Sequence, residues 1–312
     1  MKVAIAQIAP VWMDRAATLA KVEAAIREAG AKGARLVAFG EGIVPGYPFW
    51  VERTDGARFG SEVQQAWFSR YSNQAVTIER GDLSGVCEAA RESKCAVYLG
   101  VIERPDRMTS VHASMVYISP QGEIGSVHRK LRPTYEERLV WSPGDGNGLR
   151  THELDEFRVG GLNCWENWMP LARTALYADG ETFHVMIWPG SVRNTGALTP
   201  VLAVEGRSYV LSVSGIFRPS DVPADLDLPQ ADVLRADTAA DWADGGSCLA
   251  APDGTWVIEP LPCEEGVFVA DADIEQVMRA RHNFDPSGHY SRPDVLKLEV
   301  NRERLGPAKF NG

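Results

Sequence analysis

No stretch of this 312-residue chain approaches the ~20 consecutive apolar residues a membrane-spanning helix needs. The apolar run in the opening "MKVAIAQIAP" is short, and no small-residue cleavage site follows it, so a signal peptide is not expected. Basic runs are missing as well. A formal net charge of -10 argues against nucleic acid and anionic membranes as partners. There is no CxxC pair, and the six histidines show no metal-ligand spacing, so neither a metal nor another cofactor is expected. The five cysteines, Cys87, Cys95, Cys164, Cys248 and Cys263, are scattered and odd in number. That usage fits free thiols in a reducing cytoplasm better than a disulfide framework. No repeat, low-complexity tract or linker divides the chain. A single domain is therefore expected over residues 1–312, with a core to about 283 and a tail over 284–312.

What is present is an alternation of strand and helix patterns. "KVAIAQIAP" alternates as a strand does. Leu19, Val22, Ala25, Ile26 and Ala29 recur at helical spacing between Ala16 and Ala31, and Gly33 stops the pattern. "RLVAFGE" reads as a buried strand ending at Glu41, before the loop "GIVPGYPFW". Helices are expected over Val63–Gln74, Leu83–Ser93, Pro170–Ala178 and Thr199–Ser208, with a closing helix in "IEQVMRARH". "CAVYLGVIE" reads as a strand, and "ASMVYIS", "PQGE" and "IGSVHRK" as a hairpin. Further strands are expected over Arg158–Asn163, Phe183–Pro189 and Val210–Ser214, in a hairpin around Pro252-Asp253-Gly254, and in "GVFVADAD". Leu131–Gly148 reads as an irregular, function-bearing loop, and the acidic Pro219–Gly245 segment as a surface excursion. The pattern predicts an α/β domain with mixed sheets covered by helices.

One junction carries chemistry. "GGLNCWENWMPLART" puts Cys164 between a strand and a helix, with Asn167 as expected N-cap, Pro170 in the first turn and Gly180 as the stop. Leu171, Ala175 and Ala178 are expected to face the core. Backbone N–H groups and the helix dipole would favour a thiolate at Cys164, and the Trp165 N–H could cradle a developing anion. A lone cysteine is more often packing than nucleophile. A working thiol needs a base and a counter-charge. Glu41 and Lys130 stand at expected strand ends, beside loops, where they can supply both. Glu166 reads either as a brace of the nucleophile turn or as a dipole partner. Tyr47 and Trp188 are either pocket-lining or core aromatics. "SPGDGNG" over 142–148 lacks a following Lys-Ser/Thr and does not read as a phosphate loop. His282 and His289, around "NFDPSG", read as structural.

The words "FGEGIVPGYPFW", "HRKLRPTYEERLVWSPGDG" and "NCWENWMPL" resemble the catalytic-region motifs of the nitrilase branch of the carbon–nitrogen hydrolase superfamily, and "HYSRPDVLKL" resembles its C-terminal pattern. The likeness runs in order from Met1 to about Leu298. It implies an α-β-β-α four-layer sandwich, homo-oligomers, and a catalytic triad of Glu41, Lys130 and Cys164. Glu137 matches the family's second glutamate, with Glu136 as its neighbouring alternative. One departure is visible: the family commonly has proline before the first glutamate, where this chain has Gly40, which could loosen the placement of Glu41. "CWEN" points to hydrolysis of a small organic nitrile to the acid and ammonia, through a thioimidate and then a thioester on Cys164. The alternatives are an amide hydrolase of the aliphatic amidase or carbamoylase type, or a nitrile or cyanide hydratase, with the same three residues. A non-catalytic scaffold would be expected to lack one of the three, and a thiol redox sensor would want a resolving cysteine close to Cys164.

Overall fold

A computed structural model of the chain describes residues 1–239, 241–306 and 308. Its first half contains β1 (Lys2–Gln7), α1 (Arg15–Ala31), β2 (Leu36–Phe39), the short α2 (Trp50–Arg53), α3 (Glu62–Gln74), α4 (Ser84–Ser93), β3 (Ala96–Glu103), β4 (His112–Ile118) and β5 (Ile124–Arg129). Next come β6 (His152–Leu154), β7 (Phe157–Asn163), α5 (Pro170–Ala178), β8 (Phe183–Trp188), α6 (Val192–Gly206) and β9 (Tyr209–Ser214). The chain closes with β10 (Ile216–Phe217), α7 (Ala231–Arg235), β11 (Ala243–Asp244), β12 (Cys248–Ala250), β13 (Trp256–Ile258), β14 (Gly266–Asp271) and α8 (Ile274–Arg281).

The strands form two six-stranded sheets, in the orders β14-β1-β2-β3-β4-β5 and β13-β12-β9-β8-β7-β6, and β10 pairs with β11 apart from them. Side chains alternate between the faces of a strand, and here both faces are covered. Val3, Ile5, Leu36, Ala38, Tyr98 and Tyr117 of the first sheet pack on Phe157, Val159, Phe183, Val185, Ile187 and Val213 of the second. The opposite face of the first sheet carries Ala4, Val37, Phe39, Val97 and Leu99, against Val22 and Ile26 of α1 and Val86 and Ala90 of α4. Met186, Trp188 and Val210 of the second sheet meet Leu198, Leu202 and Ala203 of α6, while Leu162 meets Ala172 and Leu176 of α5. Helices, sheet, sheet, helices: the layers are α-β-β-α, as the resemblance implies. Strands sandwiched this way are apolar on both sides, so "LVAF" and "FHVMIW" read as continuous runs.

Three expectations need correction. The α6 helix begins at Val192, seven residues before the expected start at Thr199. Ser191 caps it by accepting the Asn194 N–H, and the Thr195 and Thr199 hydroxyls bond back to carbonyls one turn earlier. The segment Pro219–Gly245 is not a mere surface excursion. Val222, Leu226, Ala231, Leu234 and Ala243 are buried against Trp12, Trp50, Trp67 and Phe217, although Ala240 lies outside the described residues. Within Leu131–Gly148, Tyr135–Leu139 forms a 3-10 turn that carries Glu137. Residues 284–306 contain no helix or strand, and 307 and 309–312 of the tail lie outside the described residues.

Candidate active site

The parallel strands β2, β7 and β8 end on one side of the sandwich, and the chain deposits Glu41, Cys164 and Trp188 there. Glu41 follows β2 by two residues. Its backbone N–H donates to the Trp188 carbonyl at 2.9 Å, which stitches the first sheet to the second. Gly40 makes that approach possible. A Cβ at position 40 would sit 2.6 Å from the Gly215 nitrogen and 2.9 Å from the Trp188 oxygen. At the position where the family commonly has proline, Gly40 thus lets the backbone before Glu41 pass close to the end of the second sheet.

Lys130 leaves β5 with its backbone held on both sides, donating N–H to Ala113 O at 2.8 Å and accepting from Gly144 N at 2.7 Å. Its Nζ lies 2.9 Å from Glu41 Oε1 and 2.7 Å from Glu137 Oε2, and all three side chains are buried. Glu137 is also bound by the Thr134 N–H at 2.6 Å and by the Tyr47 hydroxyl, which donates to Oε1 at 3.0 Å. Glu136 is only 3.3 Å from the same hydroxyl and makes no contact with the lysine. Of the two neighbouring acids, Glu137 is the one in the cluster. Cys164 Sγ, a Glu41 oxygen and a Glu137 oxygen lie within 4.8 Å of one another. Three such atoms could hold a cation, but the Lys130 ammonium already lies within ion-pair distance of both carboxylates.

Cys164 opens a 3-10 turn, Cys164–Trp168, and adopts φ +48°. A side chain in that left-handed region costs on the order of 1–2 kcal/mol, so the surroundings must hold it. They do so through two buried arms. Glu166 accepts the Asn163 N–H at 2.9 Å and sits 3.0 Å from His128 Nε2. Asn167 donates to the Cys164 carbonyl at 2.8 Å and meets His184 Nε2 at 2.8 Å, and His184 Nδ1 is 2.8 Å from Glu181. Asn167 is thus not the N-cap expected of it. α5 starts at Pro170 behind Met169, whose side chain makes no capping bond. Of the three residues expected to face the core, only Ala175 does; Leu171 and Ala178 are exposed, and Ala172 and Leu176 take their place.

Electrostatically the cluster is arranged around one mobile proton. Burial pushes the Glu41 carboxyl up to about 8, against the pull of Lys130. Burial also drives the Cys164 thiol well above its ordinary value, and Glu41 and Glu137 add to this, while Lys130 and the Trp165 N–H oppose it. Burial thus works against the thiolate that the helix end favours. Burial works against the Lys130 ammonium, but its attraction to Cys164, Glu41 and Glu137 outweighs this and holds the lysine above its ordinary value.

Trp165 places its ring half-exposed and its N–H toward the sulfur. Trp188 is fully buried beside Cys164, Met186 and Leu198, and its indole N–H has no partner among the described residues. Tyr47 packs edge-on to Trp141 with centroids 5.4 Å apart, and its hydroxyl faces the carboxylates. His128 and His184 went unnoticed in the sequence. The usable signal for His128 was strand alternation, which puts it on the same side as Lys130, two residues on. His184 gave none.

The match to known proteins agrees with this geometry. Residues 2–282 match the family model for carbon-nitrogen hydrolases. The chain belongs to the carbon–nitrogen hydrolase family. Within that family it is 39% identical over 300 residues to a protein called nitrilase 2 from an unknown prokaryotic organism, covering 96% of this chain and 91% of that one. An aliphatic nitrilase of Rhodococcus rhodochrous is 34% identical over 322 residues, with 99% and 82% covered. An arylacetonitrilase of Aspergillus niger is 34% identical over 316 residues, with 96% and 88% covered. A solved carbon-nitrogen hydrolase from Helicobacter pylori superposes with a TM-score of 0.70 at 17% identity, over 94% of this chain and 96% of that one. At that identity the likeness concerns the fold.

Proposed function

We propose that this hydrolase converts an organic nitrile to its carboxylic acid and ammonia, with Cys164 as nucleophile, Glu41 as general base, Lys130 as electrostatic stabiliser and Glu137 as the second acid. The observation that carries the reading is the buried group of thiol, ammonium and two carboxylates, with Lys130 Nζ 2.9 and 2.7 Å from the acids. The nitrile is favoured over the amide by the "CWEN" word and by three relatives named as nitrilases.

The chemistry follows from the proton count. Glu41 takes the thiol proton as sulfur bonds to the nitrile carbon, and the nitrogen receives a proton, giving a thioimidate. Lys130 and the Trp165 N–H stabilise the negative charge that builds on nitrogen. Water, deprotonated by Glu41, adds to the carbon, and Glu41 passes that proton to the nitrogen, which leaves a tetrahedral carbon bearing hydroxyl and amine. The C–N bond then breaks, with a proton passed to nitrogen, so that ammonia leaves and a thioester remains. A second water hydrolyses it, restoring the thiol and releasing the acid. Glu137 holds Lys130 and shares in orienting both waters. Tyr47 and Trp188 would border the organic group of the substrate.

Ammonia release from a panel of nitriles, set against the matching amides and with products identified by mass, tests the reading. Acid and ammonia from a nitrile support it; amides as the only substrates, or amide as the only product, overturn it. Cys164→Ala should abolish turnover in a folded protein. Lys130→Ala should lower kcat on the order of 10²–10³-fold, the loss seen when one oxyanion donor is removed. The same reading takes the chain as one domain with a core to about residue 283, working as a homo-oligomer in the cytoplasm. Five unpaired cysteines support that reducing compartment, and gel filtration tests the assembly.

A further inference from the structure

We infer that Glu166 is the positioning residue that fixes the nucleophile's distance from the catalytic lysine. The inference rests on the proposed roles of Cys164 and Lys130 and adds how their spacing is kept. Cys164 follows a strand of the second sheet and Lys130 a strand of the first, and among the described residues no strand pairing joins β7 to β5. One carboxylate spans the gap. Glu166 Oε1 accepts the N–H of Leu131, the residue after Lys130. Glu166 Oε2 accepts the N–H of Asn163, the residue before Cys164, at 2.9 Å. His128, two residues before Lys130, faces the same carboxylate, with Nε2 3.0 Å from Oε2 and 3.3 Å from Oε1. Each catalytic residue thus has an immediate neighbour tied to the same side chain.

The group is built to stay ionised. Burial works against the charge, but His128 and the Leu131 and Asn163 N–H groups outweigh it and hold the carboxyl below its ordinary value. With an acceptor-only partner, the His128 ring hydrogen sits on Nε2. Glu166 itself lies two residues beyond Cys164 inside the 3-10 turn, so its tether also holds Cys164 in its left-handed backbone state. Its oxygens are occupied by those three donors, which makes it a brace and leaves it no part in proton transfer.

The alternative is that Glu166 merely stabilises the fold. Glu166→Gln separates the two. The amide keeps the size but offers a donor where the bridge needs two acceptors, so one backbone N–H loses its partner. Two measurements read the result: steady-state kinetics on a nitrile, and the rate at which iodoacetamide alkylates Cys164 without substrate. The positioning role predicts that kcat falls roughly a hundredfold, the scale of loss for an ångström of misplacement, while KM changes by less than about threefold. Alkylation should change alongside kcat in protein that is still folded at the assay temperature. Unchanged kcat and alkylation in folded Glu166→Gln would overturn the inference. His128→Gln removes one arm only and should give a smaller loss in the same direction, so it decides the matter if Glu166→Gln does not fold: wild-type kcat and alkylation in His128→Gln would then overturn it. Because alkylation needs no nitrile, a failure of the nitrilase reading leaves this test standing.

Discussion

At the scale of single residues, Glu41 is the pivot. A carboxyl pushed up to about 8 by burial must lose its proton before it can accept one from Cys164. Below that pH, kcat/KM is expected to fall about tenfold per unit, which a pH–rate profile will read. Stability moves the opposite way. Between the ordinary value of 4.5 and about 8 the folded chain holds a proton that the unfolded chain has released. Folding therefore weakens as pH rises through that window. Glu41→Gln has nothing to titrate, so its melting-temperature advantage over the parent should widen from pH 5 to pH 8.5. An advantage that stays constant over that range would contradict the account. Residue types and strand-end positions made Glu41, Lys130 and Cys164 readable as a set. The charge state of the sulfur was not readable, because it depends on two carboxylates brought from 27 and 123 residues away to lie within 4.8 Å of it.

At the scale of elements, the decisive contact is the meeting of β2 with the end of β8. Gly40→Ala would push a methyl against the Gly215 and Trp188 backbones, which lie at strand ends and have little room to yield. The expected cost is about 1–3 kcal/mol of stability, with a fall in kcat because Glu41 hangs from the next peptide. Chemical denaturation and turnover on the same sample check both. Helix and strand identities were legible where the apolar pattern was clear, as in α1, α3, α4 and β3. They were not legible where local chemistry misleads. "SVRNTGALTP" looks like loop because Asn, Thr, Gly and Pro crowd together, yet Ser191 caps it and the Thr195 and Thr199 hydroxyls turn inward to carbonyls of the same helix. Asn167 looked like a cap but is spent on the Cys164 carbonyl and on His184.

At the scale of the whole molecule, the tail returns to the site. Asp145, in the loop after Lys130, is nearly buried and accepts from Asn147 N, Leu305 N and Arg304 Nη1 at 3.0, 2.9 and 3.0 Å. Arg302 pairs with Asp179, just past α5, at 3.0 Å. The tail thereby straps the lysine loop to the nucleophile's helix. Arg304→Ala should lower stability by about 1–3 kcal/mol, the cost of leaving a buried carboxylate short of a donor. Differential scanning calorimetry will detect that, and an unchanged melting temperature would count against a strap. None of this was legible beforehand, since 159 residues separate Arg304 from Asp145.

The first sheet closes on itself in sequence as well: β1 lies between β2 and β14, with Lys2 opposite Asp271. A chain emerging from a ribosome can therefore fold its second sheet while β1 still presents a bare hydrogen-bonding edge. That edge is covered only when the last strand arrives. Truncated or stalled products ending before residue 266 should consequently be the sticky ones, prone to pair edge-to-edge with their own kind.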